Sequence, residues 1–182
     1  MPSRARADAP AAPAVPALRV GLHKHPDGSA ILRCTRADGS VTWQHQRGHQ
    51  ARFFPLHDLT HFAVESTLGA RNGFFGLIAQ GWDISETGGK GAHGALPAEA
   101  LYIENLVALV ERGGTGRDPL SAAEINTELD ALVSHGRLAF RMPLSDELLS
   151  ATRAAIDALH MRWAAVLDDG ALELEFGGAA AD

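Results

Sequence analysis

Two Asp-Gly steps, Asp27-Gly28 and Asp38-Gly39, divide the early part of the chain into three short runs rich in strand formers, residues 18–23, 30–36 and 41–45. Glycine accepts the positive φ of a tight primed hairpin turn, so this spacing predicts a three-stranded antiparallel meander. Val20 and Leu22 alternate with Arg19 and His23, the pattern of a sheet with one face packed and the other wet. Near the C-terminus Leu172, Leu174 and Phe176 alternate with Glu173 and Glu175, predicting a fourth strand. Its acidic outer residues match the basic ones of the meander, which places it in the same sheet.

At Pro55 the period changes. Proline suits the first turn of a helix, and Leu56, Leu59, Phe62 and Ala63 follow at helical spacing until Gly69 and Asn72-Gly73. A short apolar helix is predicted from Phe74, then a Gly-rich stretch at 87–94 without regular structure. Pro97 opens a third helix, the capping box from Ser121 to Glu124 a fourth, and Ser145 a fifth. The fold class that follows is α+β: a four-stranded, mainly antiparallel sheet packed against about five helices. Residues 18–176 are expected to form a single domain, with 1–17 and 177–182 as disordered tails; the Ala- and Pro-rich 1–17 has no continuous apolar core of a secretion signal.

Composition narrows the function classes. Cys34 is the sole cysteine of the 182 residues, which excludes an internal disulfide and a multi-cysteine zinc ribbon and predicts a reducing, cytoplasmic setting. No apolar run reaches the length of a membrane span. The net charge of −6 disfavours nucleic acid as a partner. Arg19, Lys24, Arg33, Arg36, Arg47 and Arg52 nevertheless make the meander locally basic, read as a solvated face that discourages edge pairing. Gly88-Gly89-Lys90-Gly91 lacks the spacing of a phosphate loop.

The chemistry is concentrated between His57 and Glu65. On an ideal helix His57, His61, Glu65 and Asp58 fall within about 100° of one another, and Leu56, Leu59, Phe62 and Ala63 occupy the other side. Two histidines at i and i+4 bring both imidazoles to one point, an arrangement suited to a metal ion. The carboxylate ligand is open between Asp58, in the first turn, and Glu65, about 12 Å along the axis from His57. His93 and Glu104 are candidates from elsewhere in the chain. Nitrogen ligands favour zinc or a similar ion over magnesium. With Asp58 or Glu65 left over as general base, a metal-dependent hydrolase or lyase acting on a small molecule is one expectation. The other is a non-enzymatic binding or regulatory protein, its histidines structural and its basic hairpin face or Gly-rich loop contacting a partner.

The residues His57-Asp58-Leu59-Thr60-His61 resemble the zinc-binding HDxxH signature of a helical ubiquinone-biosynthesis family, which implies zinc at these positions; that family's further glutamate falls at Gly73 here. They are also similar to the His-Asp dyad of HD-type phosphohydrolases, which adds an upstream helical histidine where this chain has His23 and His25 in the predicted strand-and-turn region. Residues 55–65, PLHDLTHFAVE, followed by Gly-Phe-Phe-Gly, resemble an uncharacterised bacterial family with an HDxxHxxxE stretch, a resemblance that brings no activity with it.

Overall fold

The computed structural model describes residues 15–48, 51–112 and 118–177. Strands β1 (Leu18–Lys24), β2 (Ala30–Arg36), β3 (Val41–Gln46) and β4 (Ala171–Phe176) form one antiparallel sheet in the order β3-β2-β1-β4. Among the described residues five α-helices accompany it: α1 (Phe54–Leu68), α2 (Phe74–Ala79), α3 (Ala98–Glu111), α4 (Ala122–Ser134) and α5 (Asp146–Ala164). The α+β class and the pairing of the two chain ends are as the sequence predicts. The expected tails fall largely outside the described residues, but Val15 packs against the core.

The hairpin turns differ from the expected two-residue primed form. His25 N–H donates to Ser29 O, and Gly28 N–H to His25 O, so the loop has three residues. Gly28 has φ 81°, whereas Asp27 stays at negative φ and its carboxylate accepts from Ser29 N–H. The β2–β3 turn repeats this with Gly39 and Asp38. Aspartate prefers to hold the turn through its side chain, which leaves only the glycine to take the left-handed conformation.

Leu18, Val20, Leu22, Leu32, Cys34, Leu172, Leu174 and Phe176 point to the helical side and are buried. The two buried residues of β3 are polar, and each meets an acidic group of the helical layer: Thr42 donates to Asp83 and Gln46 to Asp58. On the outer face Arg19 stands opposite Glu175, and Glu173 lies across Gly21, where a Cβ would come within 2.8 Å of its carboxylate. Among the described residues no helix is long and apolar enough to cross a membrane.

Helix α1 departs from its sequence pattern. Its polar stripe reads as a solvent face, yet Asp58, His61 and Glu65 are as buried as Leu59, Phe62 and Ala63. The reason is its place in the middle of the helical layer: α5 packs along one side of it, α3 and α2 cover the other. Burying a polar stripe is tolerable only if each group finds a partner.

Candidate metal centre

Helices α1 and α3 run past each other so that His61 lies near Glu104 and His57 near Glu111. One ligand-type atom from each of His57, His61 and Glu104 lies within 4.8 Å of the others. The two imidazole rings are 4.8 Å apart and nearly perpendicular. His61 Nε2 is 3.6 Å from Glu104 Oε2. The His61 side chain is only 3% exposed and that of Glu104 48%, so the group is closed at the helix interior and open to solvent at its glutamate.

Each histidine has a carboxylate behind it. His57 Nδ1 lies 3.0 Å from Glu111 Oε1, and its ring stacks on Phe53, which leaves Nε2 as the nitrogen available to a metal. His61 Nδ1 lies 3.4 Å from Glu65 Oε1, an ion-pair contact without hydrogen-bond alignment. Glu65 is itself held at the start of α2, its Oε2 accepting from the N–H groups of Phe75 and Gly76. Metal-bound histidines are commonly oriented in this way, with the far ring nitrogen facing a carboxylate.

Burial pushes Glu65 above the usual carboxylate range, against the stabilising effects of His61 and the two backbone N–H groups. His61 is pulled down by burial, but Glu65, Glu104 and Asp58 more than offset it, and the net shift is upward. Burial also raises Asp58, to about 6, with the hydrogen bond from Gln46 opposing. The helix thus concentrates imidazole and carboxylate groups whose charged forms are poorly solvated, an arrangement typical of functional sites.

The structure brings together His57 and His61, as the spacing predicts, and takes the carboxylate from Glu104. The other expected carboxylates have different partners: Asp58 turns to Gln46 on β3, and Glu65 stands behind His61. A helical wheel places residues on a stripe but carries no information about which neighbour covers each turn. His93 is not in the group either; it contacts Glu86 and stacks on Trp82. Gly73, where the resembling family has a glutamate, has no room for a side chain, since its Cβ would sit 2.5 Å from Glu65 Oε2. Sequence reasoning missed Glu111 and Phe53. The available signal was the i, i+4, i+7 row of Glu104, Ala108 and Glu111 on α3, which puts two carboxylates on one face of a largely apolar helix. Cys34 is buried, and burial pushes its thiol up to about 12, which removes it as a nucleophile.

No family model, curated protein or solved structure matches this chain.

Proposed function

We propose that the chain is a metal-dependent enzyme of hydrolytic or lyase type, with a divalent metal held by His57, His61 and Glu104. The observation that carries this reading is the convergence of two imidazoles and a carboxylate, each histidine backed by a further carboxylate, at the solvent-facing edge of a buried seam. Two histidines and one carboxylate leave coordination positions for water and substrate, the ligand count of catalytic rather than closed structural zinc sites. A metal there would polarise a substrate carbonyl and increase the acidity of water. Glu111 and Glu65 fix the ring orientations of His57 and His61, and the α2 N–H groups fix Glu65 in turn. Zinc is the first choice, and manganese and iron suit the same donors.

The test is elemental analysis of protein purified without chelator and then reconstituted with zinc, manganese or iron. One metal per chain is expected, lost in H57A/H61A. Protein that takes up no stoichiometric metal under any of these conditions would overturn the proposal. The second reading, a binding protein without catalysis, has one observation of its own: Trp43 is 61% exposed on the outer sheet face, paired in register with Arg33. Metal-free protein would move the weight to that face.

A further inference from the structure

The seam between α1 and α3 does not end at the proposed metal ligands. Along α3 the face that carries Glu104 continues through Ala108 to Glu111, and along α1 the opposite direction leads from His61 through His57 to Phe53. Beyond this point α5 forms a third wall, and the three helices line an open cavity of about 690 Å³. That volume lies within the range of small-molecule pockets. Two residues belong to both places. Glu111 lines the cavity and holds His57, and Phe53 lines it and stacks on the His57 ring.

The lining is dominated by Leu56, Val110, Pro119, Ile156 and the Phe53 ring. Most polar groups among it are engaged by the protein itself: Thr60 and His160 by the Leu56 carbonyl, Glu111 by His57, Arg112 by Glu128 and Arg153 by the Leu120 carbonyl at 2.5 Å, while Asp157 is exposed at the rim. A ligand in this space would find apolar contacts on three sides and few unsatisfied polar groups to recognise a charged head. We infer that the cavity holds the apolar acyl or aryl body of the substrate and that the substrate's reacting carbonyl extends past Glu111 to the metal. The substrate class is therefore a hydrophobic acyl compound, an ester or amide, and not a sugar or a nucleotide. This inference rests on the metal reading above.

The test uses two hydroxamates, which chelate metal through the same head group and differ in their tail. Acetohydroxamate and decanohydroxamate are titrated into the zinc-loaded full chain by calorimetry. Each methylene removed from water adds several-fold to affinity, so decanohydroxamate is expected to bind at least about 100-fold more tightly. A108W and D157W narrow the cavity from separate helices at solvent-exposed positions, so failure of one to fold leaves the other. Either variant is expected to bring decanohydroxamate to within about threefold of acetohydroxamate, and D157W, on the helix that carries no proposed ligand, is expected to do so with zinc content and acetohydroxamate affinity unchanged. Equal affinity of the two probes for the wild-type protein overturns the cavity assignment and leaves the metal centre intact. If zinc itself fails to bind, the metal reading falls, and decanol titrated into the metal-free protein decides the cavity: binding weakened by A108W or D157W keeps it, and no binding removes it.

Discussion

The histidine–carboxylate cluster between α1 and α3 can be set beside the one in the turn that follows α2. In the turn, Glu86 accepts from Ala92 N–H at 2.8 Å and from Asp83 N–H, contacts His93 Nδ1 at 2.9 Å, and the His93 ring lies 4.5 Å from that of Trp82. These hydrogen bonds, led by the one from Ala92, hold Glu86 below the usual carboxylate range. Glu65 is shifted the other way by its burial, and its Oε1 and His61 Nδ1 remain without an aligned hydrogen bond. The same residue types therefore serve two purposes. A partly exposed carboxylate whose lone pairs are taken by backbone N–H groups closes a turn, whereas a fully buried one left partly unsatisfied stands beside an imidazole, the arrangement common behind metal-bound histidines.

The most direct way to break this comparison is to remove one histidine from each cluster. H61A is expected to weaken metal binding by more than ~100-fold, beyond the loss common for outer partners of ligands, and E65Q by ~10–100-fold. H93A should leave it unchanged. Competition with a chromophoric chelator measures all three, and equal effects at His61 and His93 would collapse the distinction.

A smaller effect concerns stability. E65A leaves Phe75 N–H and Gly76 N–H without their acceptor and His61 without its ion-pair partner, at a residue that is 0% exposed, and the expected cost is about 3 kcal/mol in urea unfolding. E65Q keeps one acceptor oxygen and should lose less. E86A removes hydrogen bonds that water replaces, so its loss should be smaller than that of E65A. If E86A proves as damaging as E65A, burial is not what separates the clusters.

What could be read from the sequence followed from how local the signal is. The Asp-Gly turns, the alternation in β1 and β4 and the caps at Ser121 and Ser145 each lie within a few residues, and the elements formed where they point. His57 and His61 are one helical turn apart and were legible for the same reason. Glu104 could only be one candidate among others, because nothing within α1 states that α3 will pass beside it. Asp58 and Glu65 show the limit of a wheel most clearly. Their partners, Gln46 on β3 and the N–H groups of α2, come from segments whose docking depends on the whole core. The burial of that stripe had one faint sign in the sequence, since Phe74–Ala79 carries no charge that would hold it in solvent.

The smallest effect is expected in the turn itself. Four glycines near Lys90 and His93 suggest a mobile element bordering the metal site, one that metal would protect from proteolysis. The structure instead ties this segment to Glu86 and Trp82, which share no residue with the group of His57, His61 and Glu104. Gly91 reflects the closeness of that packing, because a Cβ there would come within 2.2 Å of the Glu86 side chain. Trypsin cutting after Lys90 should therefore run at the same rate with and without zinc. E86A, which releases Ala92 and His93 together, should speed it several-fold, as expected when local opening limits cleavage. Slower cutting at Lys90 in the presence of zinc would show that the two clusters communicate, and the turn would then belong to the site after all.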